Sequence, residues 1–356
     1  MPDETEYGRG ESLLSQLTSR VVGQAHAMGK IVPYVQMHQA GLAPEGRPAG
    51  VFLLLGPTGT GKTRTVEALA DVLHGSEKHL LRVDCGEFQM EHEVAKLIGA
   101  PPGYLGHRET PPMLTQNKLT AAASENCNLS LVLFDEIEKA APSMTRLLLG
   151  VLDKAALRLG DNTTVNFERT LIFLTSNIGA RELRKELAPD FGFESMTPAP
   201  AAKASAGTSA NALATGDDPS GSKLDRIGAG AVRRKFPPEF VNRIDAVITY
   251  RQLGGNELVA ILDQQLDALE RHIEKRLDDR AFSLRVEESA RSFLLAKGTS
   301  TEYGARELKR TILRSVTQPL AALISNDEIE PGTEVRVSKR PESDKLTFEV
   351  EPWEEN

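Results

Sequence analysis

Cysteine is scarce, and what there is of it carries no pattern. The chain holds two, Cys85 and Cys127. They lie far apart and without the close spacing that metal ligands need, so neither a disulfide framework nor a zinc site is implied; both read as reduced thiols. Long apolar runs are missing as well, and no stretch approaches the ~18 residues that cross a membrane. The first residues, MPDETEYGRGES, are acidic and polar, which excludes the positive start and apolar centre of a secretory signal. These absences together point to the cytoplasm. An excess of positive charge is lacking too: Lys and Arg number 42 against 50 Asp and Glu, a net charge of −8. Nucleic-acid binding needs a concentrated basic face, and the densest basic run, Arg233-Arg234-Lys235, reads as solvated surface. Neither a nucleic acid nor a membrane is expected as a partner.

What is present suits a two-domain globular protein. With 356 residues, 40% hydrophobic and 26% charged, there is enough chain for two cores. Residues 1–20 read as an N-terminal tail leading into a helix. From Val21 to about Leu187 short apolar runs alternate with helical stretches. The runs Val51–Leu55, Leu80–Asp84, Leu129–Phe134 and Thr170–Thr175 predict parallel strands covered by helices on both faces. Residues 196–223 are rich in Ala, Ser, Thr, Gly and Pro and predict a disordered insertion, set at about 188–231. It falls inside the large domain, because another strand candidate, Ala246–Tyr250, follows it. A second unit, 252–356, begins with Leu258, Leu262, Leu266, Leu269, Ile273 and Leu277 on one helical face. Strand-like segments at 282–286, Glu334–Ser338 and Leu346–Val350 make this unit a small mixed α/β domain. No internal repeat is visible.

The chemistry concentrates in a few motifs. Gly56-Pro57-Thr58-Gly59-Thr60-Gly61-Lys62-Thr63 fits G-x-x-x-x-G-K-[ST] directly after the strand VFLLL. Its glycines let backbone N–H groups face phosphates, Lys62 reaches the β- and γ-phosphates, and the Thr63 hydroxyl can ligate Mg²⁺. Thr63 leads into the helix Arg64–Leu73, whose positive end faces the anion. Leu129–Phe134 then delivers Asp135 and Glu136 to a strand end. Asp135 is placed to hold Mg²⁺ and Glu136 to orient the attacking water. Thr175-Ser176-Asn177 closes the next strand; Asn177 reads either as a γ-phosphate contact or as a strand-ending turn. Arg243, in FPPEFVNRID at 236–245, and Arg306, opening a helix, can each stabilise transferring charge, or each can sit in a surface ion pair.

These residues resemble the second ATPase ring of the Clp/heat-shock AAA+ unfoldases, such as ClpB, ClpA and ClpC. The similar segments are VVGQ at 21–24, GPTGTGKT, LIGAPPGYLG at 97–106, FDEIEKA at 134–140, TSNIGA at 175–180, FPPEFVNRID and YGARELKR at 303–310. The resemblance covers about residues 21–350 apart from the insertion. It implies an AAA+ P-loop NTPase large domain over 21–251 and a small C-terminal lid domain over 252–356. It implies Val22 as a nucleotide contact, Asn177 as the sensor-1 residue and Arg306 as the sensor-2 residue of the lid. Arg243 becomes the arginine finger that reaches a neighbouring subunit, and a homo-hexamer the active form. The cofactors are ATP and Mg²⁺. Tyr104 and Leu105, in Gly103–Gly106, become the pore-loop grip on polypeptide substrates; a plain surface turn is the other reading.

The sequence also departs from that pattern. His107 stands where an aromatic residue is expected, and Arg108-Glu109-Thr110-Pro111-Pro112 replaces an acidic, glycine-rich continuation, which bears on grip rather than on hydrolysis. A first ATPase ring, a coiled middle domain and an N-terminal recruiting domain are not found in these residues, so strong disaggregation is expected to need an adaptor. Phe191-Gly192-Phe193 stands where peptidase-associated relatives carry a docking tripeptide for ClpP. Packing of both phenylalanines on the large domain is the reading favoured here, with a ClpP-like peptidase partner, or an ATP-controlled assembly switch with little unfolding, as the alternatives.

Overall fold

The computed structural model describes residues 5–99, 111–180, 182, 219–278, 281–299, 304–341 and 343–352. The large domain is a five-stranded parallel sheet. Its strands are β1 (Gly50–Leu55), β2 (Leu81–Asp84), β3 (Ser130–Asp135), β6 (Thr170–Ser176) and β7 (Ala246–Thr249), in the order β2-β3-β6-β1-β7. Every residue of β1 and β6 is buried. That burial accounts for their unbroken apolar sequence, since helices cover both faces. One face packs Val51, Leu53, Leu55, Val132, Phe134 and Ile172 against α6 (Pro142–Lys154) and its neighbours. The opposite face packs Phe52, Leu54, Leu131, Leu133 and Phe173 against α2 (Ala25–Gln39) and α3 (Lys62–His74).

Register decides where the chemistry lies. Leu55 pairs with Ser176 and Asp84 with Asp135, so the carboxyl ends of four strands share one edge. Ligands of open α/β sheets bind at that edge.

Two features correct the sequence reading. Residues 1–20 are not a tail from Thr5 onward: Thr5–Arg20 is helix α1. Its Leu13 and Leu17, one turn apart, are buried in the core beside α2 and α3, because i and i+4 share a helix face. The insertion placed at 188–231 also ends earlier than expected. Pro219–Lys235 is helix α7, with Leu224, Ala231 and Val232 buried. Those few apolar side chains are enough to dock a helix that composition alone takes for solvated chain. Residues 183–218, with Phe191-Gly192-Phe193, lie outside the described residues. The sequence reading also misses the hairpin of β4 (Ala156–Arg158) and β5 (Thr164–Asn166), whose three-residue strands are too short to show a period.

Among the described residues this domain also has the short α-helices α4 (Ala95–Ile98), α5 (Gln116–Ala121) and α8 (Pro238–Val241). The small domain begins with α9 (Gly255–Leu277), whose Leu258, Leu262, Leu266 and Ile273 are buried. There follow β8 (Ser283–Val286) and α10 (Glu288–Gly298). Helix α11 (Ala305–Ile312) then runs through a π-helical turn, Leu313–Thr317, into α12 (Gln318–Ser325). A mixed sheet of order β10-β9-β8 closes the unit, with β9 at Thr333–Lys339 and β10 at Leu346–Pro352.

Candidate active site

The loop between β1 and α3 is built for close approach of an anion. Gly61, immediately before α3, has φ 100°, and Gly59 has φ 77°. A side chain at either position would be strained, and the turn they allow presents backbone N–H groups and the positive end of α3 together. Thr60 Oγ1 donates to the Pro57 carbonyl at 2.9 Å, fixing the curl. Lys62 is buried and donates from Nζ to the carbonyls of Gly56 and Pro57 at 2.7 and 2.9 Å, and to Asn177 Oδ1 at 2.9 Å. Burial pushes its ammonium down to about 8, against the opposing pull of Glu138 and Asp135.

Two carboxylates face this loop from the end of β3. Asp135 accepts a hydrogen bond from Thr175 Oγ1 and is ion-paired with Arg82 of β2. Glu136 has φ 56° and ψ 48°, a left-handed backbone that costs a non-glycine residue on the order of 1 kcal/mol and clusters at functional sites. Its amide donates to Thr175 Oγ1 at 3.0 Å, while its carboxylate pairs with Lys139 at 2.5 Å and lies 3.5 Å from Asn177 Nδ2. Asn177 thus touches both Lys62 and Glu136, and its own amide is held by Glu138 at 3.1 Å. It is an element of the site and not merely a turn.

The small domain forms the facing wall. The cleft, about 470 Å³, is lined by Thr58–Thr63, Asp135, Glu136, Thr175 and Asn177 from one side and by Ala305, Arg306 and Lys309 from the other. Ala305 donates its backbone N–H to the Gly59 carbonyl at 3.3 Å, so α11 starts against the phosphate loop itself. Arg306 has no carboxylate partner among the described residues, and its charge acts on Lys62. At the far end Val21, Val22, Leu253 and Ile261 offer apolar surface, suited to a planar base.

Of the residues singled out in the sequence, Val22, Thr58–Thr63, Asp135, Glu136, Asn177 and Arg306 meet in this cleft; Gly56 and Pro57 lie behind it as acceptors for Lys62. Arg243 does not enter. Its guanidinium donates to the Glu239 carbonyl and approaches Asp153 at 3.4 Å, and its buried Nε has no partner among the described residues. Tyr104 and Leu105 lie outside the described residues. Sequence reasoning misses Arg20, Glu67, Arg82, Ile261, Gln264, Gln265 and Lys309, all of which line the cleft. Lys309 was findable, being one helical turn beyond Arg306; the α9 residues reach the cleft only through domain packing.

The two domains match separate family models. Residues 47–247 match the AAA domain (Cdc48 subfamily), and residues 253–337 match the C-terminal, D2-small domain of ClpB protein. The chain belongs to the AAA family, on its Clp/ClpB-like branch. Chaperone protein ClpB of Meiothermus ruber is 36% identical over 348 residues, which is 97% of this chain and 36% of that protein. ClpB of Rhodopseudomonas palustris is 38% identical over 353 residues, or 98% of this chain and 35% of the relative. The chain therefore spans little more than a third of the length of these curated relatives. A closed-state cryo-EM reconstruction of Hsp104 with ATPγS and FITC casein superposes with a TM-score of 0.76 at 28% identity, covering 98% of this chain and 53% of that one. The extended S. cerevisiae Hsp104:casein complex gives the same values. As an AAA-family chain this protein is nucleotide-binding, and among the described residues no helix is long and apolar enough to cross a membrane.

Proposed function

We propose that the chain is a Mg²⁺- and ATP-dependent protein-remodelling ATPase of the cytoplasm, which assembles as a homo-hexameric ring and threads polypeptide through a central pore. The observation that carries this reading is the cleft in which phosphate loop, paired carboxylates, Asn177 and a small-domain arginine converge, while Arg243 lies outside it.

The residues present fit a nucleoside triphosphate with its metal ion. The glycine curl, the start of α3 and the cations Lys62, Arg306 and Lys309 complement a polyphosphate. Among the described residues no group of three or more His, Cys, Asp or Glu side chains could cage a metal. Thr63 and Asp135 would hold Mg²⁺, an ion that binds through one or two carboxylates together with phosphate and water. Held there, the ion would supply charge neutralisation for the β- and γ-phosphates. Glu136 orients the attacking water, Asn177 positions water and γ-phosphate together, and Arg306 reports phosphate state to the small domain. Val22 packs on the base. Arg243 supplies the remaining positive charge to a neighbouring subunit, which makes the ring the active form.

The polypeptide substrate rests on the chaperone relatives, on the casein in the Hsp104 structures and on Tyr104 with Leu105. The alternative of a ClpP-like peptidase partner, or of a switch with little unfolding, rests on residues 188–218 and is not favoured. The deciding experiment compares wild type with Tyr104→Ala on a tagged fluorescent protein. Wild type should unfold it with ATP, and the variant should lose unfolding while keeping basal ATPase. ATP turnover by wild type without any unfolding, in assembled rings, would leave the remodelling role without support.

A further inference from the structure

One fully buried side chain outside the lining of that cleft ties the nucleotide loop to the linker between the domains. Gln24, just before α2, has no exposed surface. Its Nε2 donates to the Thr60 carbonyl of the phosphate loop at 3.2 Å and to the Arg251 carbonyl at 2.9 Å, and its Oε1 accepts the Arg251 N–H at 3.3 Å. Both amide hydrogens and the oxygen are used, and the flipped amide would set N–H against N–H and oxygen against oxygen, so the network itself fixes the orientation.

Arg251 begins the linker that runs from β7 into the small domain at α9. The residue before it is fastened to the same loop by other means. Tyr250 donates its backbone N–H to the Leu55 carbonyl at 2.6 Å and its hydroxyl to Thr65 Oγ1 of α3 at 2.7 Å. A side chain at Gly56 would come within 2.8 Å of the Tyr250 carbonyl oxygen. On the far side of the loop Ala305 donates to Gly59. The loop that takes the phosphates is thus bonded to the small domain at both of that domain's approaches, the linker and the start of α11. At the linker, the polar atoms of the Gln24 side chain bridge loop and linker backbone directly.

We propose that Gln24 is a positioning residue that couples the phosphate loop to the interdomain linker, so that nucleotide occupancy and small-domain angle change together. The proposal rests on the ATPase reading above. A shift of the loop at Thr60 has no compressible path to dissipate in, because Gln24 is packed on all sides and bonded at both ends. It is handed to Arg251, where a small rotation swings the whole small domain.

The test uses full-length protein with donor and acceptor dyes on cysteines introduced at the exposed positions Glu125 and Glu328; Cys85 and Cys127 are buried. Gln24→Met keeps the volume and removes all three bonds. Gln24→Glu keeps an acceptor for Arg251 N–H and loses both donor bonds, and it carries the comparison should the methionine variant fail to fold. Nucleotide binding, interdomain distance with and without ATPγS, and steady-state kinetics are measured on each. Wild type should change distance on binding. The variants should bind ATPγS within about threefold of wild type yet lose most of that change, with kcat down about 10- to 100-fold and KM much less affected. A merely structural glutamine would lower thermal stability and leave the nucleotide-driven distance change intact, and that result overturns the proposal. If wild type itself fails to bind nucleotide, the ATPase reading falls, and the coupling with it; an unaltered response in the variants overturns the coupling alone.

Discussion

Arg306 and Arg243 occupy contrasting places in one chain. Arg306 opens α11, lines the cleft beside Lys62 and has no carboxylate partner among the described residues. Arg243 follows α8, outside the cleft, with its guanidinium held by the Glu239 carbonyl and by Asp153 and with its buried Nε lacking a partner among the described residues. The difference teaches that one fold can complete the near side of a phosphoryl-transfer site and still hold a second cation outside it. A pre-ordered guanidinium loses little freedom when it meets phosphate. In this account Arg243 serves the next subunit and Arg306 its own.

That contrast makes the two arginines separable by experiment. Arg243→Ala should lower ATP turnover about 10³-fold, the scale of an arginine supplied in trans, while leaving nucleotide affinity of the isolated subunit unchanged in a fluorescence titration. Arg306→Ala should lower turnover about 10²-fold, the scale of one lost charge-stabilising donor, and should weaken nucleotide binding in that same titration. Equal affinity losses in both variants would erase the distinction drawn here.

Lys62 sharpens the near side further. Its folded-state pKa, about 8, lies below the ordinary 10.5 because burial disfavours the charged form. A bound polyphosphate retains the proton, so nucleotide affinity should fall as pH rises above about 8, by up to about tenfold per unit. In the free protein the sign reverses. Between about 8 and 10.5 the unfolded chain binds more protons, so this group's contribution to stability rises with pH through that window. Isothermal titration across pH 7–10 reads the first effect and chemical denaturation the second. The smallest expected effect is behind the loop: Tyr250→Phe removes the buried bond to Thr65, at about 1 kcal/mol and about 2 °C in Tm by calorimetry.

Legibility in the sequence followed locality. GPTGTGKT is contiguous and follows its own strand, so Lys62 and Thr63 could be placed by reading alone. Asp135 and Glu136 needed only a second apolar run and the rule that parallel strands end on one edge. Ile261, Gln264 and Gln265 carry no such mark. They are ordinary positions on α9, brought to the cleft because the small domain folds back across the large one. Arg82 carries no mark in the sequence; it pairs with Asp135 only because β2 and β3 are neighbours in the sheet. The left-handed backbone of Glu136 is equally silent in sequence, since nothing in F-D-E-I announces a positive φ. Helix α1 was legible in principle through Leu13 and Leu17, but two leucines amid polar residues make a weak period.

The central claim is that each hydrolysis site is completed across a subunit boundary. It is tested most directly by mixing Glu136→Gln subunits, inactive for want of their own water-orienting carboxylate, with Arg243→Ala subunits, inactive for want of the neighbour's cation. In randomly mixed rings one adjacent pairing in four joins an intact Glu136 to an intact Arg243, so turnover should return to about a quarter of wild type. A mixture as inactive as its two components would contradict a shared site and return Arg243 to an ordinary surface ion pair.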